Sequence, residues 1–286
     1  MKKILLFILI VLNSLQVAFG QTPTKQSDLP ISTQWTLSKA NQYNQNNDVL
    51  KVFLVYNART AKKGTGFLIR SGHIITNDHV IHASQPNQIV LVSPDGKQYQ
   101  VKQIVSDTIR DLAILTPVTK FAGGFILGSG DSLMIGTQVY TWGFPLGYNG
   151  PSPLLSVGYL SGFNAIMPDQ ISKKIVKHLV INGALNPGNS GGPLIGSKGQ
   201  VIGVVQSKHL PITEYLQSAL KALEENPSGM QFTATDQNGK QTNFSESQVV
   251  AQLLNYYREL AQVMIGEAVT IDELKTFLKE NQITNY

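Results

Sequence analysis

A single serine lies in a loop whose composition suits acyl-transfer chemistry. The segment Asn186–Leu194 reads Asn-Pro-Gly-Asn-Ser-Gly-Gly-Pro-Leu, so Ser190 is surrounded by three glycines and two prolines. Glycines permit backbone angles that other residues avoid, and such a loop can turn sharply and bring its amides close to a ligand. It can present a hydroxyl nucleophile while several N–H groups point to the atom under attack. The same composition also describes an ordinary tight turn with a solvated serine, and both interpretations stay open at this point.

Two catalytic architectures place a serine in a loop of this kind. In the nucleophile elbow of the α/β-hydrolases, Gly-x-Ser-x-Gly is followed by a helix, and the histidine comes last in the chain. Here Pro193 and the β-branched residues after it oppose a helix, and His209 is the only histidine that follows Ser190. The other architecture has histidine, then aspartate, then serine, and it requires both partners upstream. The upstream segments therefore decide between the two.

One histidine and two carboxylates upstream are candidate partners. His79 follows the run Ile74-Ile75-Thr76, where a strand is expected to give way to a loop. Asp111 opens the apolar run Leu112–Leu115, and a carboxylate at the start of a buried strand needs a hydrogen-bonding partner. Asp107 is as acceptable on physical grounds alone. The residues by themselves leave the choice between Asp107 and Asp111 open.

Composition excludes several other classes of site. The chain has no cysteine, which excludes disulfides, thiolate catalysis and cysteine-bound metals. Its five histidines show no metal-ligand spacing, so we predict no metal and no other cofactor. A formal charge of +5 on 286 residues is too mild and too dispersed to predict nucleic-acid binding.

Residues 1–20 are predicted to be a signal peptide. Lys2 and Lys3 precede the apolar run Ile4–Leu12, and Ala18-Phe19-Gly20 is a small-x-small cleavage site. The apolar run is too short to span a membrane comfortably. We therefore expect cleavage before Gln21, no stable membrane anchor, and export to the periplasm or beyond. Residues 21–44, rich in Gln, Asn, Thr and Ser, are predicted to be a polar lead-in.

The middle of the chain is predicted to be all-β, and the remainder mostly helical. About ten short apolar or alternating runs lie between residues 45 and 210, divided by Gly- and Pro-containing turns, as in a sandwich or barrel. In residues 211–286, Ser245-x-x-Gln248 and Thr270-x-x-Glu273 are capping boxes that each predict the start of a helix. Asn238-Gly239 between them predicts a hairpin turn.

Taken together, these segments resemble the trypsin-like serine proteases, most closely the bacterial HtrA-type branch. The matching motifs occur in the family's order and are Gly64–Phe67, Ile75–Val80, Asp111–Leu115, Trp142–Gly147, Ser156–Gly162 and Asn186–Leu194. The resemblance implies an all-β double barrel, chymotrypsin-like, of two six-stranded barrels at about residues 45–120 and 130–210, with a C-terminal mostly α-helical extension. It selects Asp111 over Asp107, because the family's carboxylate directly precedes Leu-Ala-x-Leu. The helical tail does not resemble the PDZ module that HtrA proteins usually carry.

The resemblance also implies a function, that of an exported serine endopeptidase. The implied catalytic residues are His79, Asp111 and Ser190, and the implied oxyanion hole is formed by the N–H groups of Gly188 and Ser190. The implied substrate-binding residues are Ala184, Gln206 and Ser207. Because position 184 is not acidic, we expect a small or medium apolar side chain, not Arg or Lys, before the cleaved bond. Expected partners are unfolded protein or peptide substrates, and a homo-oligomer is compatible with the sequence. The alternative is a non-catalytic binding or regulatory module whose tail is the effector.

Overall fold

The computed structural model describes residues 47–131, 133–150, 152–168, 173–208, 214–235, 241–260 and 265–286. The predicted signal peptide and polar lead-in lie outside these ranges, as does His209. The chain divides into two compact units, one containing the residues up to Ser207 together with Ile265–Tyr286, and the other containing Lys208–Met264. Among the described residues, no helix combines the length and the apolar character needed to cross a membrane.

The first unit contains two closed six-stranded barrels, as the resemblance implied. The strands of the first barrel pair in the order β1-β2-β3-β6-β5-β4. They are β1 (Val52–Asn57), β2 (Lys62–Leu68), β3 (Ile74–Thr76), β4 (Ile89–Val92), β5 (Gln98–Asp107) and β6 (Leu112–Pro117). A one-turn helix, α1 (Asp78–Ile81), follows β3, and short 3-10 helices precede β1 and β4.

Both faces of several strands in the first barrel are buried, because one face fills the barrel and the other meets the second barrel. Successive strand residues point to opposite faces. On β6, Ala113 and Leu115 belong to the core of the first barrel, whereas Leu112 and Ile114 belong to the core that also contains residues of the second. This is why Leu112–Leu115 is continuously apolar and does not alternate.

The second barrel takes its sixth strand from the segment that the sequence analysis assigned to the helical extension. Its strands pair in the order β10-β11-β14-β9-β8-β7. They are β7 (Gln138–Gly143), β8 (Leu154–Ile166), β9 (Val176–Gly183), β10 (Pro193–Ile195), β11 (Val201–Lys208) and β14 (Ile265–Thr270). In β14, Ala268 pairs with Leu179 and Val269 with His178, and both β14 residues are fully buried. The barrel therefore does not end at residue 210, since β14 fills the place between β9 and β11.

The remainder of the extension contains helices together with a hairpin. The second unit includes α2 (Glu214–Glu225), β12 (Gln231–Thr235), β13 (Gln241–Ser245) and α3 (Glu246–Leu260). Strands β12 and β13 pair antiparallel, as the predicted hairpin requires, although Asn238-Gly239 lies outside the described residues. Ser245 and Gln248 make both hydrogen bonds of the predicted capping box, at 3.0 and 3.3 Å. Helix α4 (Ile271–Glu280) belongs to the first unit.

Candidate active site

The pairing of β3 with β6 brings His79 and Asp111 together. The two strands are antiparallel, and Thr76 at the end of β3 lies opposite Ala113 near the start of β6. The residues that follow β3 and those that precede β6 therefore leave the sheet at the same end of this strand pair. His79 lies in the short helix α1 directly after β3, and Asp111 immediately precedes β6.

The carboxylate of Asp111 accepts three hydrogen bonds. The His79 backbone N–H donates to Oδ1 at 2.9 Å, and the His79 ring Nδ1 lies 2.8 Å from Oδ2. The Gln206 side-chain amide on β11 donates to Oδ2 at 3.0 Å. Because an ionised carboxylate only accepts, Nδ1 of His79 carries the proton of this bond, which leaves Nε2 of a neutral ring as an acceptor. The ring is thus oriented with its basic nitrogen away from Asp111.

Asp111 has a backbone conformation that few non-glycine residues adopt. Its φ angle is +53°, in the left-handed region, which costs a non-glycine residue about 1–2 kcal/mol. The side-chain amide of Asn77 donates to the Asp111 carbonyl oxygen at 2.7 Å. Asp107, the other candidate carboxylate, accepts hydrogen bonds from the backbone N–H groups of Ile109 and Arg110 and so shapes the preceding turn. The structure therefore places Asp111, and not Asp107, against His79.

The serine loop is held against strand β2 of the first barrel. The Thr65 N–H donates to the Ser190 carbonyl oxygen at 2.8 Å, and the Thr65 hydroxyl donates to the Gly188 carbonyl oxygen at 2.6 Å. Gly191 has a φ angle of +85°, and a Cβ atom there would lie 2.1 Å from the Thr65 carbonyl oxygen. Only glycine fits at this position, since backbone atoms cannot withdraw as a flexible side chain can. The close approach brings Ser190 beside the segment that carries Asn77 and His79.

Among the described residues, the N–H groups of Gly188 and Ser190 are left without acceptors, and they flank Asn189, whose N–H is hydrogen-bonded. The N–H groups of Asn189, Gly191 and Gly192 donate to carbonyl oxygens of Asn186, Val205 and Asn189. In the described part of the chain, the N–H groups of Gly188 and Ser190 donate to no protein acceptor. Gly188 has a φ angle of +94°, and a Cβ atom there would lie 2.3 Å from the Phe144 carbonyl oxygen. Two neighbouring unpaired donors can bind an oxyanion.

Not every predicted site residue makes the contact that its predicted role suggests. Within the described ranges, no hydrogen bond joins the Ser190 hydroxyl to the His79 ring. Gln206, predicted to bind substrate, donates its side-chain amide to Asp111, and the substrate-binding role stays a prediction. Ala184, half-buried, follows β9, and Ser207 lies on β11 beside Gln206.

Sequence reasoning missed the hydrogen-bonding roles of three residues that hold the site together. Thr65, Asn77 and Gln206 each make a side-chain hydrogen bond across more than thirty positions, so no local pattern indicates their role. Asp78, directly before His79, pairs with His82 at 2.9 Å and not with His79. Over the described ranges, no group of three or more His, Asp or Glu residues is arranged to hold a metal ion.

The sequence is similar to known serine proteases over its central half. Residues 64–204 match the model of the trypsin-like peptidase domain. The chain is 32% identical over 142 residues to a protein of Ectopseudomonas mendocina named probable periplasmic serine endoprotease DegP-like, which covers 49% of this chain and 28% of that protein. It is 37% identical over 138 residues to the serine protease Do-like HtrB of Bacillus subtilis, which covers 46% of this chain and 29% of that protein. The chain thus spans less than a third of the length of these curated relatives.

Solved structures share the fold at low sequence identity. The inactive form of the Rv3671c protease of M. tuberculosis has a TM-score of 0.55 and 18% identity, covering 88% of this chain and 95% of that one. The HtrA-type protease AlgW with a tripeptide has a TM-score of 0.52 and 20% identity, covering 82% of this chain and 60% of that one. The fold is therefore the chymotrypsin-like double barrel, and residues 64–204 carry a trypsin-like peptidase domain that is similar in sequence to the DegP-like and Do-like HtrB serine proteases.

Proposed function

We propose that this protein is a serine endopeptidase in which Ser190 is the nucleophile, His79 the general base and Asp111 the residue that orients the imidazole. The observation that carries the proposal is the His79–Asp111 hydrogen bond of 2.8 Å, together with the unpaired N–H groups of Gly188 and Ser190. An oriented imidazole and two free amide donors are what acyl transfer from a peptide bond requires.

The chemistry follows from these positions. The Ser190 hydroxyl attacks the scissile carbonyl carbon while Nε2 of His79 takes its proton, and the developing oxyanion accepts hydrogen bonds from the Gly188 and Ser190 N–H groups. His79 then returns the proton to the leaving amine, and an acyl-enzyme remains on Ser190. Water hydrolyses this ester by the same steps. Asp111 keeps the Nδ1 proton in place and stabilises the imidazolium.

The proposed substrates are unfolded proteins or peptides encountered after export. Export is supported by the basic start, the short apolar run and the small-x-small site within residues 1–20, and by a relative that is named periplasmic. We propose that Ala184 and Ser207 line the pocket for the residue before the cleaved bond. The absence of an acidic residue at position 184 favours small or medium apolar side chains there.

The test is covalent labelling with a fluorophosphonate, followed by digestion of denatured casein. The wild-type protein is expected to carry the label on Ser190 and to cleave casein, whereas Ser190→Ala is expected to lose both. Ser161→Ala, at an exposed serine on β8, is the matched control and should behave as wild type. Equal labelling of wild type and Ser190→Ala would contradict the proposal.

The second candidate function is a non-catalytic trypsin-like binding or regulatory module. It is favoured by one observation: in the described residues the Ser190 hydroxyl is not hydrogen-bonded to His79. Catalytic hydrogen bonds are often long before substrate binds, which is why we prefer the peptidase. A folded wild-type protein that binds casein but neither labels nor cleaves would identify the binding module.

A further inference from the structure

Arg110, the residue directly before Asp111, is a buried cation held by carboxylates from two parts of the chain. Its side chain is only 3% exposed. Nη1 and Nη2 donate to the two oxygens of Glu280 at 2.7 and 2.9 Å, and Nε donates to Glu273 at 3.1 Å. Nη1 also donates to Asp107, three residues earlier. We call Asp107, Arg110, Glu273 and Glu280 the Arg110 cluster.

Helix α4 supplies two of the three carboxylates and is itself firmly seated. Glu273 and Glu280 are seven residues apart, so they lie on one face of the helix about two turns from each other. The neighbouring apolar side chains of α4 belong to the same core as Leu112 and Ile114 of β6, and they are Ile271, Leu274, Phe277 and Leu278. The second oxygen of Glu273 accepts the Lys177 backbone N–H of β9 at 3.2 Å. The helix therefore joins β9 of the second barrel to the turn before Asp111.

Arg110 is joined by one peptide bond to Asp111, whose left-handed backbone conformation must be stabilised by its surroundings. A non-glycine residue with φ of +53° keeps that angle only where its surroundings determine it. Asn77 holds Asp111 on the carbonyl side, and the Arg110 cluster holds the chain on the amino side. A guanidinium that binds carboxylates through two parallel N–H groups fixes direction as well as distance.

We propose that Arg110 is a positioning residue for the catalytic aspartate, and that Glu273 and Glu280 of α4 make this C-terminal helix part of the catalytic machinery. The inference rests on the proposed function, because it gives Asp111 the role of orienting His79. Hydrogen bonding to Arg110 lowers the pKa of Glu280, which is consistent with an ion pair between these two side chains.

A purely structural salt-bridge cluster would stabilise the fold without affecting the chemistry, and the variants must separate these roles. Glu280→Gln removes one charge from a side chain that is 52% exposed, so the protein is expected to fold. Arg110→Lys keeps the charge but cannot form the two-pronged contact. Glu225→Gln, in an exposed Lys221–Glu225 pair of the second unit, is the matched control for loss of a carboxylate.

The first readout is steady-state cleavage of a peptide substrate by the full-length chain. A displacement of about 1 Å in a catalytic group costs on the order of 100-fold in rate. We therefore expect kcat of Arg110→Lys and Glu280→Gln to fall by about 10- to 100-fold with KM little changed, and Glu225→Gln to match wild type. If both cluster variants keep kcat within about twofold of wild type, the positioning role is excluded.

The second readout needs no turnover and separates failure of this inference from failure of the proposed function. The proton shared by His79 Nδ1 and Asp111 is expected as a far-downfield NMR signal in wild type, absent from His79→Ala. The signal should broaden or shift in the two cluster variants and remain unchanged in Glu225→Gln. If the fluorophosphonate fails to label wild-type protein, the proposed function is refuted. If the NMR signal is unchanged in both cluster variants, the positioning role alone is refuted.

Discussion

At the scale of single residues, the Asp111 carboxylate depends on donors from separate segments. His79 donates from α1 through its backbone and its ring, and Gln206 donates from β11 of the second barrel. Hydrogen bonds to an ionised group are worth about 1.5–3 kcal/mol each, so every donor contributes measurably to the carboxylate's orientation. Gln206 thus connects the two barrels at Oδ2 of Asp111, the same oxygen that binds the His79 ring.

Gln206→Leu distinguishes support of Asp111 from the substrate-binding role that the sequence predicted. The variant keeps a side chain of comparable size but has no hydrogen-bond donor. Loss of a hydrogen bond to a charged group is expected to lower kcat by about 10- to 100-fold for every substrate, with the order of preference among peptides unchanged. The measurement is kcat and KM over a small panel of peptides. A changed preference with an undiminished kcat would instead assign Gln206 to the substrate pocket.

At the scale of elements, α4 begins where its capping box predicted but does not use that box. Thr270 is the N-cap residue, yet its side chain makes no capping hydrogen bond. Glu273, the expected partner, binds Arg110 and the Lys177 N–H instead. A glutamate at the third helical position can serve either purpose, and here a buried guanidinium is within its reach.

Arg110→Met is expected to destabilise the first unit in a pH-dependent manner. Removing one partner of a buried ion pair costs about 3–5 kcal/mol, since the remaining charges lose their compensation. Burial alone would raise the pKa of Asp107, but hydrogen bonds from the Arg110 backbone and guanidinium hold it below 3.8. The Arg110 hydrogen bond likewise holds the pKa of Glu280 below 4.5.

The sign of the pH effect follows from these lowered values. A carboxylate whose pKa is lower in the folded state contributes its stabilisation above the unfolded pKa and loses it as the pH falls through the folded pKa. The difference in unfolding free energy between wild type and Arg110→Met should therefore be largest near pH 7 and shrink below about pH 4. Urea unfolding at pH 7 and pH 3 measures it. A difference that grows on acidification would contradict the assignment.

At the scale of the whole molecule, the second unit is an insertion between two neighbouring strands of one barrel. Strand β11 ends at Lys208 and β14 begins at Ile265, and the two are adjacent in the sheet. The C-terminal residues then return to the first unit as β14 and α4. The protease fold is thus completed only after the inserted unit has been synthesised.

Two deletions should consequently have opposite outcomes. Replacing residues 209–264 with a short Gly-containing loop is expected to leave a soluble, folded double barrel, because adjacent antiparallel strands are readily joined by a hairpin. Deleting residues 211–286 removes β14 and α4 and is expected to give insoluble protein, since β9 and β11 would be left with unpaired edges. Circular dichroism and size-exclusion chromatography distinguish the two products. Insolubility of both would show that the inserted unit is required for folding.

Much of the fold followed from local sequence patterns. The short β-runs, the serine loop, the starts of α3 and α4, and the order of histidine, aspartate and serine all depend on residues close together in the chain, where composition and turn chemistry act directly. From the sequence, only the family resemblance distinguished Asp111 from Asp107. Both are aspartates at a strand terminus, since Asp107 ends β5 and Asp111 directly precedes β6. The structure separates them by what each one contacts.

The sequence by itself determined the chemistry that is available: a serine in a glycine loop, an imidazole after one strand and a carboxylate before another. Only the tertiary structure decided that Ile265–Thr270 completes a barrel, that Gln206 binds Asp111, and that Glu273 and Glu280 hold Arg110. The physical reason is that strand pairing and buried ion pairs join residues far apart in the chain. A six-residue strand has the same local pattern at any place in a sheet, and a buried arginine shows its partners only once the chain has folded.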